Sequence, residues 1–339
     1  MAGTLSSSGA AGPVPRGRMP PSLVTMPSPA IVSRFAPAPT GLLHLGHVVN
    51  ALYVWGVTRA AGGRVLLRIE DHDRQRSRDE YERALLDDLE WLGFCPDEPA
   101  IAAFRADRAS QGWRGRQSAR GDIYAAALAR LRDEGRVYAC ECSRSQVVQA
   151  AAEGDERRYP GTCRSRDLAD APGRGTRVRL DDLVESFDDL RHGLQMQRPI
   201  EQCGDLLVRD RDGNWTYQFA VTVDDLTQGV TLVIRGDDLL ASTGRQIQLA
   251  RLLGRSAPPR FLHHELVMKS RTQKLSKADR DTSVRDLRAR GLSADEVIGQ
   301  AAHLVGLIPV ATPLAASSAE RLPALVAFAH LLSDPKPEA

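Results

Sequence analysis

The sequence predicts an α/β protein built on a parallel sheet with crossover helices. Short apolar runs alternate with longer segments of helical apolar spacing between about residues 31 and 94, which is the rhythm of parallel strands joined by helices. The 339 residues are 42% hydrophobic and 26% charged, enough apolar material for a sizeable core in a polar-surfaced chain. A third observation is the stretch RFAPAPTGLLHLGH, Arg34 to His47. It lies where the first apolar run gives way to the first helical pattern, the place at which open parallel sheets bind ligands.

Taken in order, IVSRF reads as a buried strand and HVVNALYVWGVTRAAGG as a helix stopped by Gly62 and Gly63. RVLLRIED is a second strand ending in acidic residues, and SRDEYERALLDDLEWLG a helix ending at Gly93. Residues 95 to 121 carry no strong period. DIYAAALARLRDEG is a helix and RVYACECS a strand leading into a cysteine cluster, while residues 150 to 175 read as a polar, glycine-rich excursion. From 176 to 240 the pattern is strand-like, through TRVRL, DLLVRDRDGNWTYQFAVTVDDL and VTLVIRG, with Asp212-Gly213 as a hairpin signal. STGRQIQLARLLG is a helix, FLHHELVM a strand, and the remainder is mostly helical.

The net charge of +2 is too mild to argue for nucleic acid by itself, and no apolar run approaches the roughly 20 residues of a membrane span. Residues 1–30 are rich in Pro, Gly, Ser and Ala. They lack the apolar core of a signal peptide, so the expectation is a disordered leader or an upstream start-site artefact, and a cytoplasmic protein. Of five cysteines, three cluster at Cys140, Cys142 and Cys163. In a cytosolic chain this favours a metal over disulfides, whereas Cys95 and Cys203 read as packing residues.

At the first strand–helix junction, backbone N–H groups point at whatever anion binds there. His44 and His47 are three residues apart and share a face. Gly46 removes a side chain that would hold a base or phosphate away, and imidazoles so placed can stabilise charge on a phosphoryl group. On these residues alone, a capped helix with two exposed histidines explains the pattern equally well. Residues 268 to 284, MKSRTQKLSKADRDTSV, carry Lys269, Lys274 and Lys277 on a polar loop that could fold over phosphates. By itself that stretch also reads as a solvated basic loop.

PAPTGLLHLGH and KLSKA resemble the HIGH and KMSKS signatures of the class I aminoacyl-tRNA synthetases, in the right order. RFAPAPTGLLHLGH, RIEDHD, YQFAVTVDD and VIRGDDL resemble the glutamyl branch in collinear blocks from about residue 31 to 285. The resemblance implies a Rossmann-like catalytic domain. It implies that His44, Gly46 and His47 bind ATP with its Mg²⁺, that Lys274 and Lys277 hold the phosphates, and that His44, His47 and Lys277 are catalytic. Arg34, Ala36, Ala38, Glu70, Tyr217 and Arg235 would form a glutamate pocket. Guanidinium forks suit two carboxylates, Glu70 suits an α-ammonium, and Tyr217 would offer a hydroxyl from a strand position. The chain departs from the branch at Ala38, usually Ser, and in KLSK for KMSK, a volume-conserving change.

About sixty residues follow the KLSK stretch, too few for the usual anticodon-binding domains. In this the chain resembles the short paralogous branch that attaches glutamate to queuosine in tRNA(Asp), with L-glutamate, ATP and queuosine-containing tRNA(Asp) as partners. CEC at 140–142 and YPGTC at 159–163 resemble the structural zinc site of that branch. The resemblance implies Cys140, Cys142, Cys163 and Tyr159 as Zn²⁺ ligands, with His192 an alternative to Tyr159. The expected organisation is a leader (1–30), a first catalytic half (31–135), a zinc-containing insertion (136–200), a second half (201–285), a helical stem-contact-like region (286–333) and a tail (334–339), in a monomer. A truncated enzyme charging the tRNA 3′ end, a silent nucleotide- or tRNA-binding paralogue and a nucleotidylyltransferase are the competing readings.

Overall fold

The computed structural model describes residues 30–106, 115–149, 158–267 and 282–333. The expected leader, apart from Ala30, and the tail from 334 lie outside the described residues, as do Lys269, Lys274 and Lys277.

The first strand, β1 (Val32–Phe35), is fully buried. Helix α1 (Leu45–Ala60) carries the chain back to β2 (Arg64–Leu67), which pairs with β1 in parallel. Helix α2 (Asp79–Leu92) opens with Asp79, Glu80 and Glu82, whose charges complement the positive end of the helix. After a short α3 (Ile101–Ala106) comes α4 (Gly121–Asp133). Then follow β3 (Val137–Cys140), α5 (Arg144–Gln149), β4 (Gly175–Val178), β5 (Glu185–Asp189), β6 (Gly193–Gln197), α6 (Pro199–Gln202) and β7 (Leu206–Arg209). The chain continues through α7 (Tyr217–Thr227), β8 (Leu232–Gly236), α8 (Thr243–Leu252) and β9 (Arg260–His264). It ends in α9 (Val284–Ala289), α10 (Ala294–Leu304) and α11 (Pro323–Ser333).

β8 and β9 pair in parallel, β9 meets β5 in parallel, and β6 adds an antiparallel edge. The β1–β2 pair forms a two-stranded sheet of its own that lies beside β8, where the N–H of Thr231, just before β8, donates to the Val32 carbonyl at 2.9 Å. Period-two alternation then sorts the side chains. Leu232 and Ile234 face the core that holds α1, α10 and α11, while Val233 faces the opposite side with Ile247 of α8. The main sheet is thus covered on both faces, as near-continuous apolar strands require. β3, β4 and β7 form a separate antiparallel sheet. Within 136–200, β5 and β6 therefore belong to the main sheet, and the third strand of the small sheet comes from beyond residue 200.

One expectation is overturned. YQFAVTVDDLT is helix α7, not a strand, and Tyr217 is its first residue. Val221, Thr222 and Val223 are β-branched and locally favour a strand. Phe219, Ala220 and Val223 fall at helical spacing, however, and all three are buried in one core with Leu249 of α8 and Tyr124 of α4; tertiary burial wins over propensity. The Asp212-Gly213 turn exists, but the pairing it closes is the single bridge between Arg209 and Trp215. The irregular stretch after residue 95 also contains α3.

The last helices pack on α1 at Gly56. A Cβ there would lie 2.3 Å from Leu325 Cδ1 and 3.0 Å from the Ala319 carbonyl oxygen. Leu325 can rotate, but the carbonyl is backbone. Gly56→Ala is expected to lower stability by about 1–2 kcal/mol despite its better helix propensity; urea unfolding monitored by circular dichroism would read this as a lower midpoint at unchanged slope. Among the described residues, no helix is long and apolar enough to cross a membrane.

Candidate active site

The carboxyl ends of β1, β8 and β9 and the start of α1 enclose a cavity of about 320 Å³, within the usual size range for small-ligand sites. Arg34, Ala36, His44, Gly46, His47, Glu70, Tyr217 and Arg235 all line it. Ala38 is not among its lining residues. Sequence reasoning missed Asn50, Asp238, Leu239, His264 and Glu265, which also contribute. Asn50 had a signal, since it lies one helical turn beyond His47.

His44 caps α1. Its Nδ1 accepts the Gly46 N–H at 3.1 Å, and His47 Nδ1 accepts the His44 N–H at 3.1 Å, a reciprocal capping box. With both Nδ1 atoms acting as acceptors, each neutral ring carries its proton on Nε2. The two imidazoles, 4.0 Å apart between ring centres, thus present N–H donors from the helix end, which suits phosphate oxygens. Gly46 lines the cavity and has a second, structural reason. A Cβ there would lie 2.9 Å from His44 Cε1, so the glycine makes room for the capping ring.

The floor is a buried ionic network. Arg34 donates from Nε to Asp225 at 3.0 Å and from Nη1 to the Ile234 carbonyl at 3.3 Å. Arg68, with no side-chain exposure, reaches Asp225 at 2.8 Å and Glu70 at 3.1 Å. Burial alone would raise the Asp225 carboxyl; Arg34 and Arg68 overcome this and hold it at about 2. Glu70 goes the other way. Burial pushes its carboxyl up, against the pull of Arg68 and Arg34, so a bound ammonium would find a carboxylate in want of a second cation. Burial, then Glu70, push the Tyr217 phenol up to about 12, which keeps it a neutral donor at physiological pH. Beneath these, Asp224 gathers Arg120 at 2.6 Å, Gln117 at 2.8 Å and Tyr124 at 3.0 Å.

The cysteine cluster lies at the end of β3, where only Cys140 belongs to a strand of the small sheet. The ligand atoms of Cys140, Cys142 and Cys163 all fall within 4.8 Å of one another, with Cys142 Sγ and Cys163 Sγ 3.6 Å apart. Tyr159 Oη lies 3.6 Å from Cys140 Sγ and accepts the Cys163 N–H at 2.7 Å. Tetrahedral zinc with sulfurs at about 2.3 Å sets them roughly 3.8 Å apart, so three thiols and a phenol oxygen suit the ion. The Arg177 guanidinium sits 3.6 Å above the Tyr159 ring and donates from Nε to Cys140 Sγ at 3.4 Å, compensating the negative charge of such a ligand set. His192 belongs elsewhere: its Nε2 is 2.8 Å from Asp237.

Residues 30–306 match the family of tRNA synthetases class I (E and Q), catalytic domain, and the chain belongs to that family. It is 41% identical over 299 residues to the glutamyl-Q tRNA(Asp) synthetase of Symbiobacterium thermophilum, covering 84% of this chain and 89% of the relative. To that of Ralstonia nicotianae it is 43% identical over 269 residues, covering 76% and 80%. These relatives place it in the glutamyl-Q tRNA(Asp) synthetase branch. Among solved structures, a glutamate tRNA ligase of Elizabethkingia meningosepticum in complex with its amino acid superposes with a TM-score of 0.70 at 27% identity. That match covers 87% of this chain and 65% of the ligase.

Proposed function

We propose that the protein activates L-glutamate with ATP and transfers it to the queuosine base of tRNA(Asp). The observation that carries the first half is the cavity itself. It sets two guanidinium groups, a carboxylate and a phenol beside two imidazoles at a helix N-terminus. Arg34 and Arg235 would take the carboxylates of glutamate, Glu70 its ammonium, and Tyr217 would donate a hydrogen bond. The α-carboxylate of glutamate attacks the α-phosphorus of ATP and pyrophosphate leaves. The Nε2–H donors of His44 and His47 stabilise the charge that accumulates on phosphate oxygens; Lys274 and Lys277 are proposed to hold the departing phosphates. A hydroxyl of the queuosine cyclopentenediol then attacks the adenylate carbonyl, releasing AMP.

The acceptor is carried by the likeness to the glutamyl-Q relatives over most of their length. Zn²⁺ held by Cys140, Cys142, Cys163 and Tyr159 would fix the small sheet and take no part in the chemistry, since a closed protein-only ligand set leaves no open position. Glutamate-dependent ATP–pyrophosphate exchange, run with and without tRNA, tests the reading. Exchange without tRNA, followed by glutamate transfer to queuosine-containing but not queuosine-free tRNA(Asp), is the expected result. Exchange only with tRNA(Glu) would replace it with 3′-end charging.

A further inference from the structure

Arg235 differs from the other buried cations of the site. It is 3% exposed, yet its hydrogen-bond partners among the described residues are all neutral. Nε donates to His263 Nε2 at 2.9 Å, Nη1 to Gln246 Oε1 at 2.7 Å, and Nη2 to Thr243 Oγ1 at 2.8 Å. Arg34 and Arg68, by contrast, each touch Asp225 directly. A buried guanidinium without a contacting carboxylate is costly unless an anion completes it, and Arg235 lines the cavity.

The anion behind it acts at one remove. Asp189 Oδ2 lies 2.7 Å from His263 Nδ1 and accepts the His263 backbone N–H at 3.1 Å; its Oδ1 accepts the backbone N–H groups of Arg191 and His192. Arginine has no acceptor, so His263 Nε2 must offer a lone pair to Arg235, and the ring proton must sit on Nδ1, donated to Asp189. All three side chains are buried. Asp189 closes β5, His263 is in β9 and Arg235 in β8, so three neighbouring strands fix one guanidinium.

We propose that Asp189 and His263 are positioning residues for glutamate recognition, orienting Arg235 through a neutral imidazole that leaves its charge uncommitted for the substrate carboxylate. A carboxylate in direct contact would fix the same geometry but compete with the ligand; the imidazole relays orientation without neutralising. The proposal rests on the glutamate reading of Arg235, and its test separates the two.

Four variants are compared by ATP–pyrophosphate exchange as a function of glutamate and of ATP, with thermal unfolding alongside. His263→Asn keeps a donor near Asp189 and loses the acceptor for Arg235; His263→Gln keeps an acceptor near Nε2. Asp189→Asn keeps shape but can hold the imidazole in the wrong tautomer. Arg235→Lys removes the planar fork. The expected result is a glutamate KM raised about 10-fold or more in His263→Asn, Asp189→Asn and Arg235→Lys, with kcat and ATP KM within about 3-fold of wild type. His263→Gln should recover most of the loss. Normal glutamate KM in both His263→Asn and Asp189→Asn, with Arg235→Lys impaired, would overturn the relay and leave the pocket reading intact. Normal KM in Arg235→Lys would overturn the pocket reading itself. Equal loss in both His263 variants, tracking thermal stability and affecting kcat and ATP KM alike, would reduce the relay to packing.

Discussion

Arg34→Ala is expected to abolish measurable glutamate-dependent pyrophosphate exchange, with kcat/KM for glutamate down by about 10²–10³-fold or more. The proposed contact is a buried, charge-assisted pair, and removing one member of such a pair costs roughly 2–5 kcal/mol. Arg34 is 4% exposed, and two of its donors are already committed to Asp225 and the Ile234 carbonyl, so the rest are held in a fixed orientation. Arg34→Lys keeps the charge without the fork and should fall between the two. Stability changes as well. Asp225, held at about 2 in the folded protein, contributes stability that is present above its unfolded value near 3.8 and lost as pH falls through about 2. Without Arg34 its folded value rises and that contribution shrinks, so acid unfolding should begin at higher pH than in wild type. Exchange kinetics on the folded variant at neutral pH separate the two effects. Near-wild-type glutamate kinetics in Arg34→Ala would remove Arg34 from the pocket.

What the sequence disclosed and what it concealed divide along a physical line. Arg34, Ala36, His44, Gly46, His47, Glu70, Tyr217 and Arg235 come from four separate segments and line one cavity. His44, Gly46 and His47 were legible because a buried strand gives way there to a helix N-terminus; Arg34, Ala36, Glu70, Tyr217 and Arg235 were legible through the likeness of their segments to the glutamyl branch. The supports behind them were hidden. Arg68 meets Asp225 across 157 positions of sequence, and His263 meets Asp189 across 74; neither pairing leaves a local pattern. Gly46 also makes room for the His44 ring, a second reason that was hidden because no sequence shows the rotamer of a capping side chain. Helix α7 was concealed by its own Val-Thr-Val run. Only the burial of Phe219, Ala220 and Val223 against α4 and α8 distinguishes that helix from a strand.

Cys163→Ser is expected to have the largest effect on metal content and local stability. We expect about one zinc per chain in metal-replete wild-type protein, and well under half of that in the variant after dialysis. Structural zinc contributes apparent binding free energy on the order of 10 kcal/mol in small domains, far more than a three-stranded sheet can replace from its own burial. Its loss should release β3, β4 and β7 from their fixed arrangement. Arg209, the last residue of β7, bridges to Trp215, two residues before Tyr217; the disturbance therefore reaches the cavity wall, and glutamate KM should rise several-fold while the His44–His47 end stays intact. Cys95→Ser and Cys203→Ser should retain zinc, since neither sulfur belongs to the cluster. Tyr159→Phe separates ligand from neighbour. Burial pushes the free phenol up, so a phenolate at that position requires a cation beside it. Loss of the hydroxyl should weaken zinc affinity by 10-fold or more, read by competition with a chromogenic chelator. Unchanged affinity in Tyr159→Phe would leave three thiolates as the site, and full zinc retention in Cys163→Ser would remove the cluster as a metal centre.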